Sequence, residues 1–390
     1  MRQLILFLFI SANSFGQLPS NNQGATVIPF ESEVLGYQYD LWVSLPDDYD
    51  STKNYPVLYL LDAEWRFDIT RALVRELAVN DRCPQHIIVG VPQIDRPHRL
   101  MNLTFTDSKI TAFNEPDTIN PMVTEESSGG GDEFLRFLET EVIPFANKKY
   151  STNGFNVLMG HSLSGYFAAY AMLKSDEFQA FQIYDPSIWY NASDVLNQLR
   201  AHLPKDIKAT AFVGHAQGGM DLDVYFITAI DSLRLLFDEY DGIRSASKFY
   251  TEEYHNSMYM FGVIDGMSFL YDGYDYGYIA PTDTVTVADY IAHFEDFSKK
   301  VNFTFDPSRV GFLWVGYANY SQGNWEEALK AYSYLGNDYD NDSFYLAQAA
   351  SCYEHLGRTE EALAIYKRAL VIEPDNDEIK AKIKLLKKKR

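Results

Sequence analysis

The sequence Gly160-His161-Ser162-Leu163-Ser164-Gly165 lies between a segment typical of a buried strand and a segment typical of a helix. Residues 155–159 before it are short and apolar, and residues 166–173 after it have the composition of a helix packed on a sheet. A strand, a tight turn with a central serine and a helix form a nucleophile elbow, in which the turn lifts the serine hydroxyl clear of the sheet. The N-terminus of the following helix favours negative charge. Ser162 is therefore the candidate nucleophile, although an ordinary glycine–serine turn has the same local pattern.

The chain has 390 residues and a formal net charge of -21. This length is enough for one large α/β domain and a smaller one. The negative charge argues against nucleic acid as a partner, because a surface that binds nucleic acid has to be basic. Cys83 and Cys352 are expected in different domains, so we predict two free thiols and no disulfide framework.

The N-terminal residues have the pattern of a secretory signal peptide. A positive charge at Arg2 is followed by an apolar core at 4–10 and by small residues around a cleavage site at Gly16. We therefore expect residues 1–16 to be removed, a mature chain that begins near Gln17, and a periplasmic or secreted location. A hydrophobic N-terminal strand is the alternative interpretation. The mature chain has no apolar run long enough to span a bilayer.

Several short segments are apolar on both faces, which is typical of strands buried in a parallel sheet. They alternate with helical patterns, and they are residues 55–61, 86–91, 155–159, 181–184 and 209–213. A last strand is predicted at 248–253, and residues 27–46 suit edge strands. This order predicts the α/β class, as an α/β-hydrolase fold with a mostly parallel sheet and helices on both faces. In such a sheet, ligands lie outside the carboxyl ends of the strands.

A serine nucleophile needs a base, and the base needs an acid that orients it. In an α/β-hydrolase the chain order is serine, acid, histidine. His255 is the preferred base because it follows the last predicted strand and sits in a loop, and His215 is the alternative. His161, next to the nucleophile, is expected to pack beneath the elbow.

The acid is predicted after the penultimate strand, where a glycine-rich turn carries Asp221. Asp223 is the second candidate, while Glu252, or a serine–histidine dyad without an acid, stays open. The tetrahedral intermediate also needs two backbone N–H donors aimed at its oxyanion. Leu163, directly after the nucleophile, supplies one, and Glu64 in the loop after the first all-apolar strand is the candidate for the other.

Further motifs occur along the chain in a fixed order. They are Leu60-Leu61-Asp62-Ala63, Val89-Gly90-Val91, Phe134-Leu135-Arg136-Phe137-Leu138 with Ile143-Pro144-Phe145, the serine turn, Asp185-Pro186-Ser187-Ile188-Trp189 and His255-Asn256-Ser257. Over about residues 25–275 the chain thereby resembles the putative-esterase family of α/β-hydrolases. That family includes bacterial ferric-siderophore esterases, feruloyl and acetyl esterases, S-formylglutathione hydrolases and mycolyltransferases. Ser164 and Ala63 stand where the family commonly has glycine.

The resemblance implies ester hydrolysis through an acyl-enzyme on the serine, without a cofactor and without a metal. It favours ferric-siderophore esters as substrates, with carbohydrate-linked acyl or feruloyl esters as the alternative, so the expected partner is a small-molecule or oligosaccharide ester. Trp189, Arg96 and Arg99 are the candidate substrate-binding residues, although the arginines could instead hold a loop through Asp95. The alternative from another class is a catalytically degenerate hydrolase that serves as an interaction scaffold.

The composition shifts at about residue 307, and an internal repeat follows. Three residues recur 34 positions later: Gly323 as Gly357, Ala328 as Ala362 and Tyr332 as Tyr366. This period and pattern are the tetratricopeptide signature. We therefore predict an esterase domain at 17–300 and, at 307–390, two repeats with a basic C-terminal helix. Since two repeats are fewer than usually stand alone, we expect them to pack on the hydrolase body, with a protein partner as a secondary role.

Overall fold

The computed structural model describes residues 24–106, 128–216, 223–277, 279–338 and 342–388. The chain divides into two compact units between Leu270 and Tyr271. The predicted signal peptide at 1–16 lies outside the described residues. Within the ranges described, no helix has the combination of length and apolar character that crossing a membrane requires.

The first unit is built on one sheet, in which the described residues form eight strands. These are β1 (Thr26–Glu31), β2 (Gln38–Ser44), β3 (Tyr55–Leu61), β4 (Ile87–Val91), β5 (Thr152–His161), β6 (Ala180–Tyr184), β7 (Ala209–Ala216) and β8 (Ile243–Tyr250). Their spatial order is β1-β2-β4-β3-β5-β6-β7-β8. β2 pairs antiparallel with β1 and β4, and the remaining neighbours pair in parallel. The predicted α/β-hydrolase fold is confirmed.

Helices connect the strands of this unit. They are α1 (Ala63–Val79), α2 (Arg96–Leu103), α3 (Gly131–Phe137), α4 (Ile143–Lys149), α5 (Leu163–Lys174), α6 (Tyr190–His202), α7 (Asp223–Asp238) and α8 (Met258–Leu270). Every residue of β3 and of β4 is buried. Because successive side chains of a strand point to opposite faces, both faces of the central sheet must be covered, which explains the unbroken apolar runs in the sequence.

The segment before β5 is an interrupted helix. Between α3 and α4 runs a π-helical turn, Leu138–Val142, and Pro144 lies in the first turn of α4. A proline inside a regular α-helix removes a backbone hydrogen bond and clashes with the preceding turn. The wider π-helical turn lets the segment continue past Pro144 while its apolar side chains stay buried.

The last strand differs from its prediction, since β8 spans Ile243–Tyr250 rather than 248–253. It pairs with β7 over the whole length of β7, and the pairing ends at Ala216 and Tyr250. Residues 251–257 therefore form a loop between β8 and α8, which we call the base loop because it carries His255. Glu252 belongs to this loop.

The second unit is helical. Its helices are α9 (Val287–Val301), α10 (Arg309–Ser321), α11 (Trp325–Asp338), α12 (Ser343–His355), α13 (Thr359–Ile372) and α14 (Asp377–Lys388). Tyr290 and Phe294 of α9 are buried in one cluster with Phe312 of α10, and the rings of Tyr290 and Phe312 are 4.9 Å apart. Residues 271–300, which the sequence assigned to the esterase domain, thus belong to the helical unit, because α9 buries its aromatic face there.

The repeat pattern corresponds to two helix pairs, α10 with α11 and α12 with α13. Gly323 and Gly357 take positive φ angles of 79° and 72° in the turns between the paired helices, a conformation that glycine adopts without strain. The other repeated residues fill the helical cores: Ala328, Tyr332, Ala362 and Tyr366 are all buried. Packing of the repeats on the hydrolase body stays a prediction.

Cys83 and Cys352 are buried free thiols, as predicted. Burial raises the pKa of the Cys83 thiol and raises the pKa of Cys352 to about 12. Since the thiolate is the reactive form of cysteine, both side chains are inert packing residues at neutral pH.

His86 is expected to make the stability of the first unit depend on pH. Burial lowers its pKa from 6.5 to about 4, while its Nδ1 donates to the Pro84 carbonyl at 2.7 Å. Between pH 6.5 and about pH 4, His86 binds a proton in the unfolded chain but not in the folded chain, so the free energy of unfolding falls as the pH drops. At about 1.4 kcal/mol per pH unit, His86 alone removes about 3 kcal/mol from pH 6.5 to pH 4.

Replacing His86 by Asn keeps a donor for the carbonyl and removes the titration. In urea unfolding across this pH range, the free energy of unfolding of His86→Asn should fall by about 3 kcal/mol less than that of the natural chain. His202→Asn, at an exposed position on α6, is the matched control. Parallel stability curves for the natural chain and His86→Asn would contradict the assignment.

Candidate active site

Ser162 occupies the turn between the end of β5 and the start of α5. Its backbone angles, φ 63° and ψ −120°, are unusual for a residue with a side chain. The surrounding hydrogen bonds hold this conformation: the Ser162 N–H donates to the Tyr184 carbonyl at 2.9 Å, and the Ser162 carbonyl accepts from Tyr166 and Ser187. A strained residue held in place between a strand and a helix is the geometry that a nucleophile elbow requires.

The turn also explains why Ser164 stands where the family commonly has glycine. The Ser164 hydroxyl donates to the His161 carbonyl at 2.8 Å and accepts from the His161 N–H at 2.9 Å, so it closes the turn. Gly160 is required, because a Cβ atom there would lie 2.1 Å from the Ser164 carbonyl oxygen. Serine at position 164 is therefore compatible with the elbow.

The His255 side chain is paired with a carboxylate that lies at the carboxyl end of β6. Its Nδ1 lies 2.6 Å from Oδ2 of Asp185, the residue directly after β6. The other oxygen, Oδ1, accepts the Ala216 N–H at 3.2 Å, and the Asp185 N–H donates to the Gly214 carbonyl at 2.7 Å. Asp185 is thus fixed by β7, while the His255 side chain is 48% exposed.

Asp185 differs from the acid that the sequence suggested, and it becomes the candidate acid of the described residues. Asp221, the favoured candidate, lies outside the described residues, and Asp223 is the first residue of α7. The position against Nδ1 of His255 is filled by Asp185, one strand earlier in the chain. The sequence did contain a signal, because Asp185 directly follows the strand predicted at 181–184. The structure adds that β6 pairs with the strand of the nucleophile, so the segment of Asp185 starts about 4.8 Å from that strand.

The three candidate groups meet at the carboxyl ends of the strands. The Ser162 Oγ lies 3.5 Å from the Ser187 Oγ, in the segment that Asp185 begins. The His255 ring lies 4.5 Å from the ring of His161, centroid to centroid, so the base loop reaches the elbow. The structure therefore places the base loop against the residue next to Ser162 and pairs the His255 side chain with Asp185.

The candidate oxyanion donors differ in their surroundings. Leu163 is the first residue of α5, so its N–H is one of the donors that a helix leaves without an internal partner. The Glu64 side chain is half-buried, and its carboxylate accepts the Gln93 N–H at 3.0 Å. Burial, and then the charge of Asp62, raise the pKa of Glu64 to about 8, while its own backbone N–H and that of Gln93 lower it. Because the Glu64 N–H interacts with its own carboxylate, its role in the oxyanion hole stays a prediction.

Arg99 has a structural partner. Its Nε and Nη2 bind Oδ1 and Oδ2 of Asp62 at 2.8 and 2.7 Å, and its guanidinium lies 5.1 Å from the centre of the Trp65 ring. This pair fastens α2 to the residue before α1. Asp95, the partner suggested from the sequence, instead caps α2 by accepting the His98 N–H at 2.9 Å.

The other residues singled out in the sequence are placed as follows. Arg96 begins α2, and Trp189 is half-buried directly before α6, so a substrate role for either stays a prediction. His215, the alternative base, is buried in β7 with its ring stacked 4.7 Å from that of Phe249. In the described part of the chain, no group of three or more His, Cys, Asp or Glu side chains is arranged to hold a metal ion.

Two family models match the chain. Residues 32–189 match the family described as Putative esterase, and this range includes Ser162 and Asp185 but not His255. Residues 311–342 and 346–376 match the tetratricopeptide repeat.

Curated relatives are similar over part of the chain. The ferri-bacillibactin esterase of Bacillus subtilis is 29% identical over 189 residues, which are 45% of this chain and 62% of that protein. The siderophore enterobactin esterase of Emericella nidulans is 32% identical over 121 residues, or 29% of this chain and 39% of that protein. The apo-salmochelin esterase of Escherichia coli is 24% identical over 182 residues, or 45% and 55%. The chain thus spans less than two thirds of the length of these relatives.

Solved structures share the fold over a larger part. An IroE-like serine hydrolase from Shewanella oneidensis has a TM-score of 0.68 at 25% identity, covering 79% of this chain and 97% of that one. An uncharacterised protein from Capnocytophaga ochracea has a TM-score of 0.61 at 18% identity, covering 93% and 99%, and this likeness shows the fold alone. Residues 32–189 are therefore similar to the putative-esterase family, within an α/β-hydrolase fold that two tetratricopeptide repeats follow.

Proposed function

We propose that the protein is a serine ester hydrolase that works through Ser162, His255 and Asp185. The observation that carries this proposal is the 2.6 Å contact between His255 Nδ1 and Asp185 Oδ2 beside the strained Ser162. An acid at Nδ1 holds the imidazole in the tautomer whose Nε2 lone pair is free to take a proton. That is the state in which a histidine can activate a serine.

The proposed reaction uses these three side chains in two steps. The Ser162 Oγ attacks the ester carbonyl carbon while His255 Nε2 takes the hydroxyl proton, and the backbone N–H groups of Leu163 and Glu64 stabilise the oxyanion. His255 then gives the proton to the departing alcohol, which leaves an acyl group on Ser162. Water, activated by the same histidine, attacks the acyl-enzyme and releases the carboxylic acid.

The proposed substrates are siderophore esters. The curated relatives are named as esterases of bacillibactin, enterobactin and salmochelin, which makes this class the first to test. Carbohydrate-linked acyl or feruloyl esters are the second class. We propose a periplasmic or secreted location, and N-terminal sequencing of exported protein should then begin at Gln17.

The full chain is the material for the test of activity. We expect it to hydrolyse p-nitrophenyl butyrate, and a fluorophosphonate probe should label the peptide that contains Ser162. We expect enterobactin, ferric or iron-free, to give a kcat/KM at least about ten times that of methyl ferulate. A higher value for methyl ferulate would move the substrate to the feruloyl class. Neither turnover nor labelling would favour the degenerate scaffold.

The repeat region is proposed to stabilise the hydrolase unit, with a protein partner as a secondary role. The informative truncation ends at Leu270, the last residue of the first unit. A chain cut after Val301 would keep α9 but remove Phe312, on which the aromatic face of α9 packs. If the repeats pack on the body, the chain ending at Leu270 should melt several degrees lower while its kcat on p-nitrophenyl butyrate changes little. An unchanged melting temperature would make the repeats an independent module that recruits a partner.

A further inference from the structure

The base loop has to carry His255 a long way across the sheet. β8, which precedes the loop, is an edge strand, and β5, which carries Ser162, lies three strands away in the order β5-β6-β7-β8. At about 4.8 Å between neighbouring strands, this distance is about 14 Å. Tyr254 and His255 are exposed, so the loop buries little surface of its own. Specific contacts are therefore needed to keep His255 beside Ser162.

His161 makes one of these contacts from beneath the elbow. Its side chain is buried, and its Nε2 lies 2.6 Å from the backbone carbonyl oxygen of His255. Its Nδ1 lies 3.3 Å from Nη2 of Arg66, in the first turn of α1. The residue next to the nucleophile is thus joined to the backbone of the base.

The partners of His161 determine its protonation. A carbonyl oxygen only accepts hydrogen bonds and a guanidinium only donates them, so Nε2 carries the proton and Nδ1 presents its lone pair. A second proton on Nδ1 would face the cationic Arg66. Burial, and then the neighbouring His255 and Arg66, lower the pKa of His161 well below its usual value, so the ring stays neutral at physiological pH.

Arg66 holds the next residue of the base loop. Its Nη2 donates to Oδ1 of Asn256 at 2.7 Å, and its guanidinium lies 4.5 Å from the centre of the Tyr259 ring. The Tyr259 hydroxyl is itself 2.7 Å from the Thr70 hydroxyl, also on α1. The loop is therefore attached at the His255 side chain by Asp185, at the His255 backbone by His161 and at Asn256 by Arg66.

We propose that His161, supported by Arg66, is a positioning residue that holds the base loop so that His255 stays within reach of Ser162. Asp185 orients the imidazole ring, whereas His161 holds the backbone from which the ring projects. This inference rests on the proposed esterase function for its kinetic consequence, but the loop contact itself can be tested without activity.

The kinetic test compares two substitutions in the full chain. His161→Leu fills the space without hydrogen bonds, and it should lower kcat on p-nitrophenyl butyrate about 10- to 100-fold with little change in KM, because a misplaced base costs about that much. In His161→Gln the side-chain amide can donate to the His255 carbonyl and accept from Arg66, so kcat should return to within about threefold of the natural chain. Equal losses of kcat in both variants at unchanged melting temperature would overturn the proposal.

Hydrogen–deuterium exchange gives a readout that does not depend on turnover. In the folded loop the Glu253 N–H donates to the Tyr250 carbonyl and the Tyr254 N–H donates to the Ser257 hydroxyl. His161→Leu should speed exchange in a peptide covering 251–257 about tenfold, and His161→Gln should not. Unchanged exchange in both variants would overturn the proposal. If the natural chain hydrolyses no ester but the exchange responds as expected, the esterase proposal fails and the loop contact stands.

Arg66→Met tests the second attachment. It keeps an apolar side chain of similar length but removes both hydrogen bonds and the guanidinium over Tyr259, so exchange in 251–257 should rise, centred on Asn256. Arg75→Met is the matched control, since Arg75 lies on the same helix and pairs with Asp47 at the exposed surface. If both arginine variants change the loop equally, the effect comes from α1 as a whole and Arg66 has no specific role.

Discussion

Replacing Ser162 by Ala is expected to abolish turnover of p-nitrophenyl butyrate, with kcat lower by about a million-fold. Removing the nucleophile of a serine hydrolase costs about this much, because the remaining site stabilises the transition state only by binding and through the oxyanion donors. Alanine has a smaller side chain, and the hydrogen bonds through which residue 162 helps to hold the elbow are made by its backbone. The variant should therefore fold normally.

The measurement is the steady-state kcat on highly purified protein, together with fluorophosphonate labelling. Ser232→Ala, a serine on α7 whose hydroxyl bonds the Thr228 carbonyl within its own helix, is the control and should keep full activity and full labelling. If Ser162→Ala retained more than about a thousandth of the natural kcat, the nucleophile would lie elsewhere. Labelling of another serine would identify it.

The second large effect is expected at Asp185. Asp185→Asn should lower kcat/KM about ten-thousand-fold, because an amide that donates toward Nδ1 favours the tautomer whose Nε2 already carries a proton. The fold should be kept: the Asn oxygen can still accept the Ala216 N–H that now binds Oδ1. The loss of activity should thus come without a comparable loss of stability.

Two further variants distinguish the acid assigned from the structure from the acids suggested by the sequence. They are Asp221→Asn and Asp223→Asn, assayed beside Asp185→Asn. Both should keep kcat/KM within about tenfold of the natural chain if Asp185 orients the base. A larger loss in Asp221→Asn than in Asp185→Asn would restore Asp221 as the acid. Small losses in all three variants would indicate a serine–histidine dyad.

The features that could be predicted from the sequence are those encoded by residues close together in the chain. The elbow is one such feature, because a strand, Ser162 and a helix follow each other within one short segment. The tetratricopeptide region is another, since its signature repeats at a fixed interval and each repeat folds into one helix pair. The candidate base could also be chosen from the sequence, since His255 lies in the loop after the last strand of a fold whose chain order is known.

The acid and the positioning contacts depend on which strands and helices become neighbours. Asp185 and His255 are 70 residues apart, Arg66 and His161 are 95 apart, and Arg66 and Asn256 are 190 apart. No local pattern links such residues, and chain order alone placed the acid after β7 rather than after β6. The side-by-side packing of β5 and β6 brings Asp185 to the elbow, and the return of the base loop across β7 and β6 brings His255 to Asp185. The sequence determines that a serine, a histidine and an acid are available, whereas the order of strands in the sheet selects which acid meets the histidine.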